Sequence, residues 1–302
     1  MKPDFRHHPY EMILHRFLQS LKPDASPYTL KAYRGDVVGF FTRVPTKFVD
    51  EVDLEMLLDY KQELRGYHNS TIARVLSVVR SFFKFASRTG ATALSPEEID
   101  EILSSPKVNR RSPKEVLDET EVRMLLSAID DPRDYLIFAL GLKAGLRQGE
   151  IRNIRLKDFS MMNGRAFLTV QGKGNRERTI PIADDLFARV IEYMRRSEKS
   201  FQSPQDRESY LIESRKSRDD PRISPTHMVR IVRGYIEQVG IPKHITPHSL
   251  RHTCATNMAL NGAPLQVIQN FLGHSSPDTS KIYIQKAEEI ASQAIRYSSF
   301  EV

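Results

Sequence analysis

The chain has 302 residues, 40% hydrophobic and 27% charged, with a net charge of +7 and one cysteine. This composition excludes a disordered or low-complexity chain, and the length suits two domains better than one. With Cys254 alone there is no intramolecular disulfide and no zinc site on paired cysteines; with no apolar run of membrane-spanning length and no signal-like N-terminus, the chain reads as a soluble cytoplasmic protein without membrane contact.

Residues 1–105 carry 14 basic and 14 acidic side chains, so the whole positive excess lies beyond them. A basic half predicts an anionic partner, and DNA is the leading candidate because neutralising phosphates releases counterions. In the balanced half, apolar residues three and four apart predict helices over Tyr10–Leu21, Pro27–Phe41 and Ser70–Arg88, with Val75, Val78, Val79, Phe82, Phe83 and Ala86 on the inner face of the last. The segment 104–115 has two prolines, four basic side chains and no apolar period, which is linker composition. The expected organisation is a helical domain over 1–106, a linker over 107–113 and a second domain over 114–302.

The second domain opens at Asp118-Glu-Thr-Glu121, which has the form of a capping box. A second helix is expected from Pro132 to a left-handed stop at Gly145. Arg147 and Glu150 then sit three apart at the start of a short helical piece, so their side chains share a face. Two β-rich runs in RAFLTVQGKGNRERTIPI, 165–182, flank Gly172-Lys-Gly-Asn175 and predict a hairpin with Lys173 at its tip and Arg176 and Arg178 just after. By itself such a tip is more often a solvated turn than a catalytic group.

The densest polar cluster is Thr246-Pro-His-Ser-Leu-Arg-His252. Thr246 as cap and Pro247 in the first turn start a helix to Gly262, placing His248 and Arg251 one turn apart near a helix N-terminus that favours an anion. His248 and His252 have the spacing of zinc ligands, but Arg251 between them opposes a cation and no glutamate completes the motif, so no metal is expected. A further helix over Pro264–Leu272 ends at Gly273, followed by His274. Together these two helices also have the outline of a helix-turn-helix, which keeps a non-catalytic DNA-binding regulator as the rival reading. Tyr283 begins the last helical stretch, where packing is the ordinary use of a tyrosine.

Taken in order, Arg147, Lys173, His248-x-x-Arg251, His274 and Tyr283 resemble the tyrosine recombinases, the phage-integrase and Xer group. The motifs are AGLRQGEI, GKGNRERTIPI, TPHSLRHTCAT, LGHSS and TSKIYI; SPYTLKAYRGDVVGFF and STIARVLSVVRSFFKFA look like the SAM-like core-binding domain of that family. The resemblance implies a mainly α protein with a small β-hairpin or sheet, made of an N-terminal SAM-like helical domain and a C-terminal catalytic domain. It implies a metal-independent DNA strand transferase with no cofactor, acting through a 3′-phosphotyrosyl intermediate. Tyr283 would attack, Arg147 and Arg251 would clamp the scissile phosphate, and Lys173 would protonate the leaving 5′-oxygen. His248 would accept the phenolic proton, His274 would hydrogen-bond the phosphate, and Glu150 would orient the site from behind.

The implied partner is a double-stranded DNA recombination site held by a homotetramer, or by a heterotetramer with a related recombinase. The segment 287–302, with its apolar face, would dock on a neighbouring subunit. The short distance from Tyr283 to the end of the chain and the lack of an added N-terminal arm-binding domain favour Xer-type resolution of chromosome or plasmid dimers over integration of a mobile element. A type IB topoisomerase-like enzyme would share the nucleophile chemistry but not strand exchange.

Overall fold

The computed structural model describes residues 7–22, 25, 27–106, 115–172, 177–215, 220–273, 280–285 and 287–288. The chain divides into two compact units, Met1–Ser112 and Pro113–Val302. Among the described residues no helix is long and apolar enough to cross a membrane.

The first unit is helical: α1 (Tyr10–Leu21), α2 (Pro27–Phe41), α3 (Leu54–Glu63), α4 (Asn69–Arg88) and α5 (Pro96–Ile102). In α4 the residues Ile72, Val75, Leu76, Val79, Phe82, Phe83 and Ala86 recur every three or four positions and are all buried, which explains its length despite a run of β-branched residues. Its aromatic pair meets Phe17 and Phe40 edge-on, Phe17 to Phe82 at 5.7 Å and Phe40 to Phe83 at 5.3 Å. A capping box between Ser95 and Glu98 starts α5. The expected linker, 107–113, lies outside the described residues.

In the second unit, Asp118 and Glu121 form the capping box that opens α6 (Glu119–Ser127), and Asp131 accepts from the Arg133 and Asp134 amides to open α7 (Pro132–Leu142). Leu136 through Leu140 are wholly buried, so α7 is apolar on every side and serves as the core's central helix. It ends at Leu142, before the expected stop; the Leu146 amide then bonds back to the Leu140 carbonyl and Gly145 takes the left-handed conformation at φ 62°. Short α8 (Gln148–Asn153) follows.

The sheet has three strands, not the two of the expected hairpin. β1 (Phe159–Met162) joins β2 (Arg165–Gln171) and β3 (Glu177–Ile182) in an antiparallel sheet of order β1-β2-β3, with Leu168 opposite both Phe159 and Ile180. The β1–β2 turn is Asn163-Gly164, both at positive φ, the pairing that such a tight turn prefers. Then come α9 (Asp184–Arg196), α10 (Pro204–Arg207), α11 (Pro225–Gln238), α12 (Pro247–Leu260) and α13 (Leu265–Leu272), with residues 280–285 again helical. α12 packs along α7, while its far side and α13 enclose a smaller apolar cluster of Ala255, Ile268, Leu272 and Tyr283.

Candidate active site

The two helices that carry the site's Arg147, Glu150 and Arg251, α8 and α12, are each started by a cap that the chain carries locally. Arg147 is the residue before α8, and Glu150, at its third position, reaches back to accept from the Arg147 amide at 2.7 Å. The same carboxylate accepts from the Arg147 guanidinium, Nη1 to Oε1 at 2.9 Å. β3 adds Arg178, which donates to both oxygens of Glu150 at 2.8 and 3.0 Å and to the Phe271 carbonyl at 3.1 Å. α12, capped by Thr246, delivers Arg251, 1% exposed, whose Nη1 lies 3.6 Å from Glu150 Oε2. Three guanidinium groups therefore surround one carboxylate, and the local surplus of positive charge suits an anion.

Arg251 is held by backbone: Nη1 donates to the Gly145 carbonyl at 2.6 Å and Nη2 to the Leu272 carbonyl at 2.7 Å. Burial, assisted by the charge of Arg147, lowers its pKa to about 10, and the nearby Glu150 opposes that shift; at neutral pH it remains a cation. Arg147 is the more open of the two, and it also donates to the Gly273 carbonyl at 3.3 Å. Burial would raise Glu150, but the hydrogen bonds from Arg178 and the Arg147 amide, with both positive charges, outweigh it and hold the carboxyl below its ordinary value.

Tyr283 is 4% exposed among Ala255, Ile268 and Leu272. Burial pushes its phenol up to about 12, against the pull of Arg251 and Arg147, so it is neutral at physiological pH. Its Oη and His252 Nδ1 share a hydrogen bond of 2.6 Å, and the His248 ring, on the exposed side, meets His252 edge-on with centroids 4.4 Å apart. The expected site residues Arg147, Glu150 and Arg251 thus converge, with Tyr283 close enough for the charges of Arg251 and Arg147 to act on it. Lys173 and His274 lie outside the described residues, as does the tail from 289 onward.

Two side chains in this arrangement carry more than the motif reading assigned them. Arg178 stood there only as a basic residue after a hairpin tip; its place two and four residues before buried Ile180 and Ile182 was the available signal that it shares their inward face. His252 stood there only as a rejected zinc ligand; four residues after His248, it lies on the same helix stripe.

Residues 115–289 match the phage integrase family, and residues 14–90 match the phage integrase N-terminal SAM-like domain. A tyrosine recombinase of Pseudothermotoga lettingae is 32% identical over 276 residues, spanning 89% of this chain and 91% of that protein. Tyrosine recombinase XerC of Thermodesulfovibrio yellowstonii is 31% identical over 274 residues, spanning 87% of each. Among solved structures, XerH site-specific recombinase bound to palindromic difH substrate superposes with a TM-score of 0.68 at 17% identity, covering 97% of this chain and 90% of that one. A lambda integrase dimer bound to a core site gives 0.70 at 15% identity, covering 92% and 78%. These last two likenesses bear on the fold, whereas the family matches and the sequence relatives extend along both units. The chain belongs to the phage integrase family and is a tyrosine recombinase.

Proposed function

We propose that this protein cuts and rejoins double-stranded DNA at a specific recombination site, with Tyr283 as the nucleophile. The observation that carries the reading is the cage of Arg147, Arg178 and Arg251 around the single carboxylate of Glu150, built beside a neutral tyrosine. Phosphoryl transfer without a metal depends on positioned positive charge, because the pentavalent phosphate spreads negative charge over its non-bridging oxygens. Arg147 and Arg251 clamp those oxygens, and Glu150 and Arg178 hold the clamp in register. Tyr283 Oη bonds to phosphorus as the 5′-oxygen leaves, storing the strand as a 3′-phosphotyrosine. Lys173 protonates that oxygen, and His274 donates a hydrogen bond to the phosphate. By the family pattern His248 receives the phenolic proton, whether from the phenol itself or by relay through a group between them.

The relatives named XerC and XerA support Xer-type resolution of chromosome or plasmid dimers as the biological role. Such a role calls for a cytoplasmic, nucleoid-associated enzyme acting as a homotetramer, or with a related recombinase, and the segment 287–302 is the candidate link between protomers. XerH and the lambda integrase were solved on DNA, which supports the same class of partner.

The test is Tyr283→Phe. It should bind DNA as wild type does, since only a buried hydroxyl is lost, yet leave no protein–DNA adduct that survives denaturant; an adduct from the Phe variant removes Tyr283 from this role. Mapping the wild-type adducts on host DNA then tests the biological reading, with one site near the replication terminus expected and scattered element ends counting against it.

A further inference from the structure

Tyr283 packs its ring into the apolar cluster between α12 and α13, where its hydroxyl still needs a polar partner. The spacing of α12 provides one, because His248, His252 and Ala255 follow at intervals of four and three and so line one stripe. His252 is 4% exposed, its Nδ1 lies 2.6 Å from Tyr283 Oη, and the two ring centroids are 5.4 Å apart. In the neutral tautomer that carries its hydrogen on Nε2, His252 Nδ1 accepts in this bond and the protonated phenol donates. Arg251 and Arg147, whose charges also act on this hydroxyl, possess donors only, so neither can receive its proton. An acceptor within hydrogen-bond reach is the first requirement of a general base.

We infer that His252 is a catalytic residue: it holds the Tyr283 hydroxyl before DNA is cut and takes its proton as the oxygen attacks phosphorus. This rests on the reading of Tyr283 as nucleophile. In the cutting step the Oη–P bond forms and the P–O5′ bond breaks. The phenolic proton passes to Nδ1, producing an imidazolium, and the leaving 5′-oxygen takes its proton from Lys173. In rejoining, the 5′-hydroxyl returns its proton to the Lys173 amine and attacks phosphorus, the Oη–P bond breaks, and Nδ1 hands its proton back to Tyr283. The exposed His248 ring, edge-on to His252, offers a neighbouring imidazole through which that proton can exchange with solvent.

The test uses His252→Asn, whose amide can still hold the hydroxyl near the Nδ1 position but cannot take a proton. Covalent adduct formation is followed in single turnover on a nicked duplex carrying the site recovered by adduct mapping, at matched DNA occupancy and with melting temperature as control. His252→Asn should cut more slowly by a factor on the order of 10² or more, the usual size of a general-base contribution. Replacing Tyr283 in that variant by a ring-fluorinated tyrosine, whose phenol is more acidic, should restore much of the rate while changing wild type little, a response that lost packing does not produce. If His252→Asn lowers the melting temperature, His252→Gln with the same fluorinated tyrosine carries the comparison. Cutting at the wild-type rate by His252→Asn, or an equal response of both proteins to fluorination, overturns the inference. Should Tyr283→Phe still form an adduct, the nucleophile reading falls first; with Tyr283→Phe inert and His252→Asn at wild-type rate, only the role of His252 falls.

Discussion

Arg178 of β3 and Glu150 of α8 are joined by two parallel hydrogen bonds, Nη1 to Oε1 at 2.8 Å and Nη2 to Oε2 at 3.0 Å. This ion pair ties the sheet to the helix that carries Arg147, and both partners are largely buried. Removing one partner leaves a charge without its counter-charge in a desolvated place. Arg178→Ala should therefore destabilise the catalytic unit by about 3–5 kcal/mol, read as a lower urea midpoint. Arg178→Lys should recover part of this, because a point-charge ammonium cannot make both bonds. A wild-type midpoint for Arg178→Ala would show that the pair does not hold α8 to the sheet.

The same carboxylate makes a pH prediction. The folded-state pKa of Glu150 lies below its ordinary value of 4.5, because the bonds from Arg178 and the Arg147 amide outweigh the effect of burial. A depressed carboxylate contributes stability that is present above the unfolded value and lost as pH falls through the folded one. Stability should thus decline below about pH 4.5, the unfolded reference, and Glu150→Gln should show a shallower decline over the same range. Urea midpoints from pH 7 down to pH 3 for both proteins isolate Glu150, since the other carboxylates are common to them; parallel curves would contradict the assignment.

Gly145 links backbone conformation to the arginine cage. At φ 62° its position disfavours any side chain, and a Cβ there would meet Leu272 Cδ2 at 2.5 Å and Cys254 Sγ at 3.3 Å. Its carbonyl also receives Arg251 Nη1. Gly145→Ala should cost about 1–3 kcal/mol in stability through strain and overpacking. It should also slow DNA cutting more than it weakens DNA binding, as Arg251 is displaced. Melting curves and single-turnover cutting measure the two effects, and a variant both stable and fully active would mean that the α13 end yields freely.

Lys173 can be tested through its leaving group. Replacing the bridging 5′-oxygen of the substrate with sulfur produces a thiolate that departs without a proton. Lys173→Ala should be severely slow on ordinary DNA and close to wild type on the sulfur substrate. Equal slowing on both would make this lysine a phosphate contact.

Much of this architecture is written locally. The Asp118–Glu121 capping box, Asp131 before Pro132 and Thr246 before Pro247 each start a helix where the chain alone predicts one, because a cap is satisfied within four residues. The order of Arg147, Lys173, His248, Arg251, His274 and Tyr283 likewise pointed to the family from the linear chain. β1 was legible in principle through Asn163-Gly164, but Ser-Met-Met is a weak strand pattern and gains its place by pairing with β2. What only the tertiary structure decided is which distant side chains meet. Arg178 finds Glu150 across 28 residues and His252 finds Tyr283 across 31, because β3 is tied to α8 and α13, and α12 packs on α13, which brings together positions that no helical or strand period relates. Local chemistry determines where elements begin; burial decides which polar groups must satisfy one another once water is gone.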